Sequence, residues 1–229
     1  MQKKLSLLLL VFTGFSFLAA AQETNDAGLW CTFNVDKKLG DKFGVFLTEE
    51  WRQRENLSRL NLFYTDLGVS VKPADFIKIS VAYRCIEKFQ PDYTFSFRHR
   101  GMLDIVLKRK FGIFGLSYRQ RIQAEVRDVY SSEIGNLPEW YSRNKFVVKF
   151  DLDRAITPYI GTELRYQIGN PRMVEGDGIW SRARYIAGID YKRSDRHSFG
   201  LYYLVQREFN IAAPQNLYII GLEYNLSLD

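Results

Sequence analysis

Hydrophobic and polar residues alternate along nearly the whole chain, most cleanly at its end. Over Tyr218-Ile219-Ile220-Gly221-Leu222-Glu223-Tyr224-Asn225-Leu226-Ser227-Leu228, the residues Tyr218, Ile220, Leu222, Tyr224, Leu226 and Leu228 share one face. Ile219, Gly221, Glu223, Asn225 and Ser227 share the other. Successive side chains of a strand point to opposite faces, so this period predicts a strand with one apolar and one polar side. About 9–11 such residues suffice to cross a bilayer as a barrel stave.

The same period recurs upstream. Leu29, Cys31, Phe33 and Val35 oppose Trp30, Thr32, Asn34 and Asp36, and Phe43, Val45 and Leu47 oppose Lys42, Gly44, Phe46, Thr48 and Glu50. Further alternating segments run from Asn61 to Lys72, Ile77 to Arg84, Tyr93 to Lys110, Phe114 to Glu125, Lys145 to Asp151, Tyr159 to Gln167, Arg182 to Tyr191 and Ser198 to Gln206. No helical period separates them, which argues one all-β domain. Short turns are expected near Gly40, Pro73, Phe111, Arg154 and Ser194. Longer polar loops are expected at Gln53–Ser58, Glu87–Asp92, Arg127–Ser142, Gly169–Gly178 and Glu208–Gln215. Short turns at one rim and long loops at the other are the mark of a closed antiparallel transmembrane β-barrel, the short turns being periplasmic. A secreted β-sandwich or lipocalin-like barrel would show the same strands without needing that asymmetry. The segments number eleven, the first starting on the loop side, whereas bacterial single-chain barrels have an even number. Ten to twelve strands are therefore expected.

The start of the chain fits export. Lys3 and Lys4 precede an apolar stretch from Leu5 to Leu18, and Ala19-Ala20-Ala21 offers a small-residue cleavage site before Gln22. This is the layout of a secretory signal peptide, predicted to be cleaved after Ala21 and to leave a barrel over 22–229. Cleavage takes the 32 basic side chains to 30 against 26 acidic ones, a net +4 that does not argue for nucleic acid. Cys31 and Cys85, the only cysteines, fall on the apolar face of non-consecutive strands. They lack metal spacing and read as small hydrophobes.

Several short motifs occur in a recognisable order: Gly28-Leu29-Trp30, Tyr64-Thr65-Asp66-Leu67-Gly68, Arg98-His99-Arg100, Phe114-Gly115-Leu116-Ser117-Tyr118-Arg119, Arg143-Asn144-Lys145, and Tyr185 to Lys192 followed by His197-Ser198. In these the chain resembles a family of Bacteroidetes-type outer-membrane proteins, DUF2490, across nearly its whole mature length. The resemblance implies an outer-membrane barrel. It carries no activity and no site residues.

The polar face is charged. Arg84, Arg98, Arg100, Arg119, Arg121, Arg165, Arg182 and Arg184 are expected to point inward, as are Glu50, Asp104, Glu125, Glu163, Asp190 and Glu223. Inside a narrow barrel such groups must pair, because a buried lone charge is costly. Paired arginines and carboxylates would fill the lumen and give the barrel a structural role. A wider barrel would instead make a small anion-favouring channel.

A lipid-modifying enzyme is the third class. The only histidines are His99, placed with Leu103 and Ile105 on the lipid face, and His197, in a periplasmic turn. Nothing in the sequence fixes a Ser or Asp beside either. The expectation is therefore no enzyme and no cofactor, with outer-membrane lipids and the barrel-insertion machinery as partners. Gly221, Tyr224 and Leu226 fit the terminal signal that such machinery reads. Substrate and oligomeric state are left open. Trp51, Tyr83, Tyr118, Tyr166 and Tyr203 are expected near strand ends as interfacial girdles. Trp140-Tyr141 and Trp180 are placed in or beside long loops, and Glu49 beside Trp51 near the loop rim, where a charge costs little.

Overall fold

In the computed structural model, residues 24–90, 94–128, 134, 137–211 and 214–228 are described. The expected signal peptide and its cleavage site lie outside them. Eleven strands follow one another: β1 (Thr24–Leu39), β2 (Phe43–Arg54), β3 (Arg59–Ala74), β4 (Ile77–Phe89), β5 (Phe95–Phe111), β6 (Phe114–Arg127), β7 (Glu139–Phe150), β8 (Ile156–Gly169), β9 (Ile179–Lys192), β10 (His197–Glu208) and β11 (Gln215–Leu228). Each pairs with its sequence neighbours, and β11 returns to β1 to close the barrel. Closure leaves no sheet edge unpaired. Among the described residues the only helical element is a 3-10 turn, Val174–Gly176, and no helix is long and apolar enough to cross a membrane.

The odd strand count is real, and it has a geometric consequence. With eleven strands the first and last run the same way, so β1 and β11 pair in parallel, from Thr24↔Gln215 to Lys37↔Leu228. Every other pair is antiparallel. Eleven falls within the expected ten to twelve and matches the eleven segments read from the sequence; closure needs only a continuous hydrogen-bond ladder, which a parallel pair also supplies. The start of β1 and the end of β11 consequently lie at opposite rims.

All five connections at the β11-end rim are short: 40–42, 75–76, 112–113, 151–155 and 193–196. The opposite rim carries 55–58, 90–94, 128–138, 170–178 and 209–214. Two expected loops shrink. The β2 strand extends to Arg54, and β7 begins at Glu139, so Trp140 and Tyr141 are strand residues.

Strand parity sorts the side chains as predicted. Leu67, Val69, Val81, Leu103, Ile105, Leu107, Ile160, Leu201 and Leu222 are exposed on the outside. Inside, Trp30, Tyr159, Tyr202, Leu204 and Ile219 form a buried cluster beneath the β1–β11 seam. Close packing there depends on glycine. Gly221 and Gly188 are the two cross-strand partners of Tyr202, and a Cβ at Gly221 would overlap the Tyr202 ring. Gly68 accommodates the Phe46 ring in the same way.

Aromatic residues gather toward both ends of the outer face. Phe114 and Phe150 meet edge-on at 5.8 Å toward the short-turn rim, with Tyr191, Phe199 and Tyr224. Phe89 and Phe95 meet at 5.3 Å on the loop side, as do Tyr166 and Trp180. Of the expected girdle residues, Tyr83 and Tyr203 stand instead near the middle of β4 and β10. Alternation fixes a residue's face, but height depends on where each strand begins.

Candidate functional site in the barrel lumen

The inward face is a set of ion pairs between neighbouring strands. Arg121 on β6 faces Asp104 on β5 and holds it with two hydrogen bonds of 2.7 Å. Arg84 on β4 clasps its partner Asp66 on β3, with Nη2 donating to Oδ2 at 2.6 Å and Nε to the other oxygen. Its guanidinium also lies 3.4 Å from the centre of the Tyr64 ring. Glu125 accepts from Arg98 at 3.0 Å and from Arg100 Nε at 2.9 Å. Bidentate and shared pairs of this kind are what an arginine fork forms best, because its donors are planar and preorganised.

Glu163 is the hub. Its carboxylate accepts from Arg119 Nη2 at 2.7 Å, Arg143 Nη2 at 2.5 Å and Arg184 Nη1 at 3.1 Å. It is only 4 % exposed, so the three guanidiniums replace water as its solvation shell. Nearby, Arg52 pairs with Glu50, which also accepts from Thr32 Oγ1 at 2.9 Å. The Arg52 guanidinium stacks on the Trp30 indole, 3.7 Å from its centre, and Arg184 lies 5.2 Å from the same ring.

These residues form a waist. A cavity of 230 Å³ opens on the loop side of the lumen, and one of 400 Å³ occupies its other half. Trp30, Arg52, Arg143, Glu163 and Arg184 line both and therefore stand between them. An eight-stranded barrel is just filled by ordinary side chains, and porins of 16–18 strands stay open. Eleven strands lie between those limits, and here Arg52 stacked on Trp30, with Arg184 5.2 Å from the same ring, takes up part of the extra width.

The remaining predicted lumen residues are placed as follows. Arg182 donates to Glu208 at 3.1 Å, and Asp190 accepts from Lys149. Arg165 makes no ion pair among the described residues. Its Nε donates to Ser181 Oγ at 3.2 Å, and its guanidinium lies 4.7 Å from the Tyr141 ring centre. Glu223 points inward without an ion pair among the described residues. Sequence reasoning missed Arg52, Arg143 and Asp66. Arg143 opens the expected seventh strand and could have been assigned inward from the parity it shares with Lys145. Arg52 and Asp66 could also have been assigned inward, Arg52 from the parity it shares with Glu50 and Asp66 from the parity of its own strand.

The outer face carries a second polar group. Thr65, Cys85 and His99 follow Glu49 across three successive strand pairs. Thr65 Oγ1 donates to Glu49 at 2.9 Å, and His99 Nδ1 meets the Tyr83 hydroxyl at 2.6 Å and Cys85 Sγ at 4.0 Å. Glu49 stands near the middle of β2, not at the loop rim as its proximity to Trp51 suggested. No Ser or Asp contacts His99 among the described residues, whose hydrogen-bond partners are Tyr83 and Cys85. His197 lies beside the last short turn, with Nδ1 2.7 Å from the Tyr224 hydroxyl. No cluster of three metal-ligating side chains occurs among the described residues.

Compared with known proteins, residues 27–226 match the family model DUF2490, described as a protein of unknown function. No curated protein matches the chain.

Proposed function

This chain belongs to the DUF2490 family, and we propose that it is a bacterial outer-membrane barrel whose role is structural, its lumen shut by its own charges. One observation carries the reading: the polarity is inside out. Arginines and carboxylates fill the interior, while exposed leucines, isoleucines and valines cover the exterior between two aromatic zones. In water that exterior would be an apolar patch far larger than a soluble monomer exposes. In a bilayer it is the expected outer surface, and the aromatic zones fall at headgroup depth. A signal peptide ending at Ala21 and an insertion signal at Gly221, Tyr224 and Leu226 belong to the same reading. Membrane lipids and the barrel-insertion machinery are then its partners.

The proposed role follows from the waist. A conduit needs open width, and Trp30, Arg52, Arg143, Glu163 and Arg184 occupy the lumen where its two cavities meet. A catalytic role is not part of the proposal: among the described residues His99 has Tyr83 and Cys85 as its hydrogen-bond partners and no Ser or Asp beside it. The location is tested by fractionation. The protein is expected in the outer-membrane fraction, released only by detergent, with a gel mobility that changes on boiling. Release into the periplasm without detergent would overturn it.

A further inference from the structure

Two polar groups on the outer face are matched within that face. Glu49 has Thr65, and His99 has Tyr83 and Cys85. A third is not. Gln120 on β6 and Asn144 on β7 are cross-strand partners on the outward parity of their strands. Gln120 is exposed, and its amide makes no hydrogen bond among the described residues. Asn144 accepts from the Tyr118 hydroxyl at 2.7 Å through Oδ1, and its amide nitrogen has no partner among the described residues.

Depth makes this pair unusual. Gln120 lies six residues from Phe114 and seven from Arg127, so roughly 15 Å of tilted strand separates it from either end of β6. A glutamine side chain is far too short to reach the headgroups from there. Phe114 and Phe150 mark the short-turn end of the same two strands, and Trp140 marks the loop end of β7. Between those zones a bilayer offers no water, so an amide without a protein partner is left unmatched at a cost.

We propose that the β6–β7 face is where a second copy of this chain docks within the membrane, the two amide pairs closing on each other. Copies inserted in the same way share one orientation, so the twofold axis of a dimer runs along the membrane normal and the contact is isologous. An axis between β6 and β7 sets Gln120 against the partner's Asn144, and Asn144 against the partner's Gln120. A primary amide both donates and accepts, so each pair satisfies the other without burying a charge. Strand tilt offsets the two heights by about 3 Å, which the longer glutamine spans. Ile105 on β5 and Leu164 on β8 flank the amides in the same row, giving the polar centre an apolar border on both sides. The inference rests on the outer-membrane reading, because in water the same amides would be solvated.

The test is energy transfer between two labelled populations of the purified full chain in phospholipid vesicles, over a range of protein-to-lipid ratios. Labels sit on Asp195→Cys in a background carrying Cys31→Ser and Cys85→Ser, since the Asp195 side chain is 92 % exposed. A monomer–dimer equilibrium is expected, its dissociation constant raised about tenfold by Gln120→Leu or Asn144→Leu. Leucine suits lipid at least as well as an amide, so these barrels are expected to fold. Asn144→Gln keeps an amide and is expected to retain association. Glu49→Leu, on a different part of the outer face, is expected to leave it unchanged. Monomer at every ratio, association indifferent to Gln120→Leu, or equal weakening by Glu49→Leu would overturn the proposal. Monomer in vesicles from a protein that fractionates with the outer membrane removes the dimer and leaves the location standing. Release of the protein without detergent overturns both.

Discussion

The guanidinium of Arg52 lies 3.7 Å from the centre of the indole of Trp30, its cross-strand partner. This pair joins β1, the strand of the parallel seam, to the charged side of the lumen. It lets one cation serve both halves, stacking on the aromatic cluster and pairing with Glu50. A desolvated cation over an indole contributes about 2 kcal/mol beyond its ion pair. Trp30→Ala is therefore expected to lower stability and to join the two cavities. Urea unfolding in detergent checks the first effect, and solute entry from both rims checks the second.

Glu163→Gln keeps the shape of the hub and removes its charge. Arg119, Arg143 and Arg184 would then share one neutral carbonyl in a buried site. Breaking a buried ionic cluster from one side costs roughly 3–5 kcal/mol, since the partner charges stay buried. The shift in urea midpoint at unchanged slope is the measurement. A loss below about 1 kcal/mol would mean that water already solvates these arginines.

Gly221→Ala is expected to destabilise the barrel by about 1–3 kcal/mol, because the added methyl meets the Tyr202 ring. The cause is checked by a double-mutant cycle. With Tyr202→Ala present the added cost should vanish, giving a coupling energy on the order of 1 kcal/mol or more. Additive losses would contradict the steric account.

How much of this was legible in the sequence depends on which property is asked about. Face was legible, because side-chain direction in a strand follows parity alone. Arg84, Arg100, Arg119, Arg121 and Arg184 were all assigned inward from alternation, and all line the lumen. Height and partnership were not legible, because they depend on register between strands. Glu49 therefore moved from the rim to mid-strand, and Cys85 was not seen to face His99. Arg52 and Arg143 were missed although each shares the parity of a residue placed on the polar face, Glu50 and Lys145. The parallel closure was also hidden, since no local pattern distinguishes a first strand that pairs parallel with the last.

Glu49 offers a test of the exterior. It is a carboxylate near the middle of a strand among exposed apolar neighbours, with Thr65 as its hydrogen-bond partner. A charge at that depth in a bilayer is destabilising. Glu49→Leu is accordingly expected to raise stability in lipid vesicles by about 1 kcal/mol. A loss of stability would argue that the surface faces water or a polar partner.

Orientation can be read by labelling intact cells with a membrane-impermeant maleimide, in a background carrying Cys31→Ser and Cys85→Ser. The side chain of Glu55 on the loop rim is 59 % exposed, and that of Asp195 on the short-turn rim is 92 % exposed, so both are reachable. Glu55→Cys is expected to label on intact cells, and Asp195→Cys only after lysis. The reverse pattern would invert the barrel in the membrane.

Whether the charged waist closes the lumen is read by planar-bilayer recording of the purified full chain. A closed lumen gives no stepwise current for the wild-type chain, with steps appearing when Trp30→Ala is combined with Arg52→Ala. Stepwise, anion-selective current through the wild-type chain would contradict it.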